Sequence, residues 1–304
     1  MLLPTSMLRS LAVICLFCLW AQAFSIDKVT CEEAEDVVLA TNALVGNTME
    51  QISQALRFVS DGIQKPIEYF DNTNEVTYKT PTEASFLTLS ENADNLLGRW
   101  NWQHDNKQVD NLYFFCKANA FKPINDDAGN QWISSKSNKN NPNVAKFNGP
   151  SYKAKTSPHR PSHLACATGD MLQYIYSKKY LAIILCPPMM KEISQGYNDN
   201  KPINNNQHLE DYFKKDHFVL NVFRILYRVA FPQHTTSFIA ANEGWNEVVE
   251  MRLAQALTNF YSFAYKVMAL YFTTMQPGSA FFWGNYFDSA AVAAVPACDR
   301  MDIP

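Results

Sequence analysis

The chain has 304 residues with a formal charge of −3, from 26 basic and 29 acidic side chains; 47% of it is hydrophobic, 13% aromatic and only 18% charged. That balance excludes fibrous, coiled-coil and disordered classes, and it supplies no strong positive field to hold nucleic acid or anionic lipid. Length and hydrophobic content suit one large domain with a filled core.

Residues 1–23 read as a signal peptide: Arg9 is the positive n-region, 11–20 the apolar h-region, and Ala21-Gln22-Ala23 an A-x-A cleavage site. Ten apolar residues fall short of the roughly 20 needed to span a bilayer. No later segment is long and charge-free enough either, so the expected mature chain is exported, without a membrane span, as one domain over 24–304. Loss of Arg9 with the leader makes the charge −4.

Cys15 and Cys18 leave with that leader, so the mature cysteines are Cys31, Cys116, Cys166, Cys186 and Cys298. Export favours disulfides, and five cysteines are most simply two pairs and a free thiol, with fifteen arrangements open. One of these staples Cys31 to Cys298, near the two mature ends. None of the five forms a C-x-x-C pair, which disfavours zinc-ribbon and thioredoxin-type readings.

In chain order, 31–62 has a long helical pattern, with Glu32, Glu33 and Glu35 in the first turn and apolar Val38, Leu44, Met49, Ile52, Leu56 and Val59 at helical spacing. A second helix is predicted after Pro81, capped by Thr82, with Phe86, Leu89 and Leu96 inward. Residues 112–116 and 180–186 are short strand-type runs, the second ended by Pro187-Pro188. The Asn-rich stretches 125–160 and 195–207 read as surface loops, open to substrate or partner contact. Residues 209–231 form the clearest helical pattern, with Phe213, His217, Leu220, Phe223 and Leu226 on a wide apolar face and Pro232 as its stop. A further helix or helix pair covers 246–273, followed by a small-residue and aromatic tail. Helices, strand, loop, strand and long helices make an α+β fold with a dominant helical part.

Catalytic motifs are sparse. His159 and His163 have H-x-x-x-H spacing, which puts both imidazoles of a zinc protease on one helical turn. Here the intervening Glu is missing and Pro161 interrupts the turn, so a solvated loop is the simpler reading. Glu243, Glu247 and Glu250 share a helix face and could do acid/base work only if burial separated their pKa values. A G-x-S-x-G elbow, a P-loop and a G-x-G-x-x-G are all missing.

Four features occur in a suggestive order. They are Tyr113-Phe114-Phe115-Cys116, then Ala165-Cys166 after a polar loop, then Ile184-Leu185-Cys186-Pro187, then an apolar helix followed by Asn259-Phe260-Tyr261-Ser262-Phe263-Ala264-Tyr265. Over 112–272 the chain resembles fungal secreted metallo-endopeptidase-like proteins related to deuterolysin and the lysine-specific metallo-endopeptidases. The resemblance implies a mainly helical zincin-like α+β fold with a small sheet, stapled by disulfides. It also implies H-E-x-x-H on the first helix, with an Asp ligand downstream.

Matching on the helix puts Tyr227 at the first His position, Arg228 at the Glu position and Phe231 at the second His position; 238–246 offers Glu243 but no Asp. Tyr and Phe do not replace an imidazole pair on zinc, and Arg cannot accept a proton from metal-bound water. The expectation is a secreted pseudoenzyme without a cofactor, which binds a protein or cell-surface partner. The alternatives are an active zinc endopeptidase using His234, Glu243 and Glu247, or His159 and His163, and a structural wall or matrix protein.

Overall fold

A computed structural model describes residues 24–31, 35–60, 83–100, 111–117, 120–123, 132–134, 140–147, 166, 171–176, 180–197, 203–213, 217–234, 244, 247–248, 253–275, 280–282 and 286–288. Within them the architecture is α+β, mostly helical, around a small mixed sheet. The predicted leader lies outside the described residues. No helix among the described residues is long and apolar enough to cross a membrane.

Strands β1 (Ser25–Ile26), β2 (Leu112–Phe115), β5 (Leu172–Tyr176) and β6 (Leu181–Leu185) pair in the order β1-β2-β6-β5. The first three are mutually parallel; β5 runs antiparallel to β6 and closes the edge, with Tyr174 opposite Ile183. Every residue of β2 and β6 is buried. This explains why both read as continuous apolar runs: a strand covered on two faces has no polar face to alternate with.

Alternation divides those side chains between two cores. Leu112, Phe114, Leu181, Ile183, Leu185 and Tyr174 join the main core, whereas Tyr113, Phe115, Ala182, Ile184 and Ile175 join a smaller one on the opposite face. The main core is roofed by α2 (Glu35–Ser60), α3 (Glu83–Trp100), α5 (Pro187–Ser194), α7 (Phe218–Ala230) and α9 (Phe260–Met275); α2 packs against each of the other four. Two further antiparallel pairs among the described residues are β3 (Phe121–Pro123) with β4 (Trp132–Ser134), and β7 (Ala280–Phe282) with β8 (Tyr286–Asp288).

The polar stretch at 125–160 is more structured than its composition suggests. It contains β4 and the single turn α4 (Pro142–Ala145), and it delivers Val144 and Phe147, both fully buried, to the smaller core. Asn141 caps that turn by accepting from the Asn143 amide at 2.9 Å, and Pro142 occupies the first helical position, where no donor is lost.

The same asparagines bind across the fold to Asp27. Its wholly buried carboxylate accepts from the Thr30 amide, from Asn141 Nδ2 at both oxygens and from Asn143 Nδ2, all within 3.0 Å. Asp27 thus caps α1 (Lys28–Cys31) and ties it to α4, four donor contacts replacing the water that the carboxylate lost.

Two disulfides join Cys31 to Cys116 and Cys166 to Cys186. A staple between Cys31 and Cys298 is therefore overturned: β1 lies parallel to β2, which brings Cys31 at the end of α1 against the residue that follows β2. Cys298 lies outside the described residues.

The helix read over 209–231 is two helices, α6 (Leu209–Tyr212) and α7, broken at Phe213 and His217. The break brings Tyr212 and Phe213 around the His217 ring, at 4.8 and 5.4 Å, while Tyr212 also meets Phe272 at 4.8 Å; consecutive residues of one helix diverge by 100° and could not share that neighbour so closely. The 246–273 pattern resolves into the pair α8 (Leu253–Ala256) and α9, with Asn259 capping α9 through the Ser262 amide.

Candidate functional site

The stretch matched to the zinc motif is the last turn of α7 and the residues after it. Two stripes of that helix differ in chemistry. Tyr227 and Phe231, four apart, lie on its inner stripe and point into the main core; Arg224 and Arg228, also four apart, form a neighbouring half-buried stripe.

The inner stripe is closed by aromatic packing. Tyr227 is fully buried, its ring 4.7 Å from Phe231, 5.3 Å from Phe263 and 5.5 Å from Phe260. Beyond the helix end the chain turns at Pro232, and the His234 amide donates to the Phe231 carbonyl at 3.1 Å. That turn stacks the imidazole on Phe231, at 5.0 Å and 6°, and sets Nδ1 in a 2.8 Å hydrogen bond with the Tyr227 hydroxyl. His234 therefore reaches the slot, but as the partner of a tyrosine.

Burial pushes the His234 imidazole below its ordinary 6.5. The native state holds the ring neutral more strongly than the unfolded chain does. This contribution to stability is complete above 6.5 and is lost as pH falls through 6.5 towards the lower native value. The thermal midpoint is expected to drop between about pH 7 and pH 5, less steeply in His234→Gln, which still offers Tyr227 an acceptor. Identical slopes in melting curves of the two proteins would exclude this role.

The basic stripe faces elsewhere. Arg228 lies close enough to Tyr174 on β5 to act on it electrostatically, as does Arg224, whose guanidinium also sits 5.4 Å over the Tyr261 ring. The slot at Tyr227, Arg228 and Phe231 is thus divided between an aromatic interior and a basic flank. Glu243 and Glu250, the remaining candidates on that side, lie outside the described residues. Glu247 is exposed; its carboxylate lies against Gly244, where an added Cβ would also meet the Glu210 carboxylate.

His159 and His163 also lie outside the described residues. Among the described residues no group of three or more His, Cys, Asp or Glu side chains is placed to hold a metal. Asp27 and Tyr174 escaped the sequence reading. The signal for the first was an Asp three residues before Thr30 at a helix start, and for the second the alternating Leu-Gln-Tyr-Ile-Tyr run.

No protein family, curated protein or solved structure matches the chain.

Proposed function

We propose that the chain is an extracellular, catalytically inactive relative of the zinc metallo-endopeptidases, with a zincin-like architecture, that acts by binding a protein or cell-surface partner. The observation that carries the reading is the content of the motif slot. Tyr227 fills it with a wholly buried ring, Phe231 packs on that ring, and His234, the imidazole that reaches it among the described residues, has its Nδ1 engaged by the Tyr227 hydroxyl. Zinc of the usual kind needs an open set of nitrogen and oxygen donors and a water that a nearby carboxylate can deprotonate. A phenyl ring contributes no donor, and Arg228 repels rather than accepts a proton.

Two disulfides, and the lack of a membrane-spanning helix among the described residues, accord with the exported state. Metal analysis of the secreted protein is expected to find far less than one zinc per chain. A chelator is expected to leave the thermal midpoint unchanged. Stoichiometric zinc in the native fold, or chelator-sensitive cleavage of casein lost in His234→Ala, would establish the active peptidase instead.

A further inference from the structure

The inner face of β5 carries a polar atom that the fold leaves unanswered. Tyr174 is 6% exposed, yet its hydroxyl is buried without a hydrogen-bond partner. Thr41 and Thr48 share that condition within α2, where rotation about χ1 brings a carbonyl of the preceding turn within reach. A tyrosine on a strand has no such local recourse, and the hydroxyl has given up water without replacement.

What surrounds it is basic and aromatic. Arg228 and Arg224 of α7 both act electrostatically on Tyr174, and Tyr176 stacks on its ring at 6.2 Å and 24°. Arg99 at the end of α3 interacts electrostatically with that second phenol. Burial pushes the Tyr174 hydroxyl up to about 12, the arginines offsetting only part of the effect, so at neutral pH it is a protonated donor. Tyr176, Arg224 and Arg228 are each partly exposed, which leaves an approach from solvent.

We propose that Tyr174, Arg224 and Arg228 form a binding site for an oxyanion, a carboxylate or phosphate group, between β5 and α7. The hydroxyl donates one hydrogen bond, and the guanidinium forks supply donors whose planar geometry suits two oxygens of one ligand group. The site does not depend on peptidase ancestry, because Tyr227 and Phe231 lie on the other stripe of α7.

The test uses the full secreted protein in Tris chloride, titrated with inorganic phosphate and separately with acetate, with sodium chloride as the ionic-strength control. A saturable rise in thermal midpoint is expected with at least one oxyanion and not with chloride. Preference for phosphate identifies a tetrahedral ligand group and preference for acetate a planar one; either result supports the site.

Tyr174→Phe and Arg228→Gln are each expected to weaken binding about tenfold, the scale of one hydrogen bond to a charged group. Lys191→Gln, which removes the same charge from the exposed face of α5, is expected to leave binding unchanged. In oxyanion-free buffer Tyr174→Phe is expected to melt at or above the parent temperature, since it deletes an unsatisfied buried hydroxyl. Absence of a saturable shift with both oxyanions overturns the proposal, as does wild-type affinity in Tyr174→Phe. A clearly lower melting temperature of that variant without oxyanion does the same, because it means that the hydroxyl is bonded within the fold.

Discussion

Replacing Cys31 and Cys116 together by serine is expected to lower the free energy of unfolding by about 4.5 kcal/mol. The bond closes a loop across 85 positions, containing both α2 and α3, so the intact crosslink removes a large share of the unfolded chain's freedom. The native contacts around it do not depend on sulfur. The Asp27 amide donates to the Phe114 carbonyl, the Thr30 amide to the Asp27 carboxylate, and the Cys116 amide to Thr30 Oγ1. The double variant should therefore retain the native far-ultraviolet spectrum while its urea midpoint falls.

The Cys166–Cys186 bond spans 20 positions, and its loss is expected to cost about 3 kcal/mol in the same model. Urea unfolding under non-reducing conditions measures both. A difference of less than about 1 kcal/mol between parent and the Cys31/Cys116 variant would show that the unfolded chain is already compact across that loop.

Phe147→Ala is expected to cost a further, independent amount of about 4 kcal/mol. The smaller core contains few side chains, and Phe147 is its centre. It is fully buried and meets Tyr113, Phe115, Phe121 and Tyr180 edge-on, with ring centroids 5.7 to 6.1 Å apart. Its removal leaves a cavity in a cluster with no spare residue to collapse into it.

Lys146, beside it, has its ammonium hydrogen-bonded to the Tyr113 hydroxyl, so the polar edge of the cluster is held by a cation. Phe147→Leu keeps most of the volume and is expected to cost about 1.5 kcal/mol or less. Equal losses in the two variants, measured by chemical unfolding, would show that the retained volume of leucine recovers none of the ring's packing and would overturn the cavity account.

These two expectations concern the places where the chain was hardest to read. Strands β2 and β6 were legible because continuous short runs of large apolar residues have few other uses. Strand β5 was not, since Gln173 and its tyrosines match a half-polar pattern that loops also show. Helix α4 carried its own signal in Asn141-Pro142, but seven asparagines between 125 and 148 outweighed it. Burial of Val144 and Phe147 is settled by the opposite face of a sheet that a local window does not contain. The break between α6 and α7 has the same origin, because an unbroken apolar pattern gives way to the grouping of Tyr212, Phe213 and His217 against α9.

The candidate site divides along the same line. That Tyr227 and Phe231 share one stripe of α7, and Arg224 and Arg228 the next, follows from the 3.6-residue period alone, and so does the lack of paired imidazoles there. Where each stripe points does not follow from that period. His234 returns to Tyr227 only because the turn at Pro232 stacks it on Phe231, and the arginines come within electrostatic range of Tyr174 only because β5, at the sheet edge, packs against α7.

By itself the amino-acid sequence determined the α+β character, the two central strands, the helical stripes and the lack of a zinc motif, all set by residues within a few positions of one another. Tertiary structure alone decided that Cys31 joins Cys116 and that Asp27 is enclosed by asparagines more than 110 positions away. It also decided that a buried tyrosine hydroxyl lies within electrostatic range of two arginines of α7. Such pairings are chosen by which surfaces bury the most apolar area together, and that is a property of the whole chain rather than of any segment.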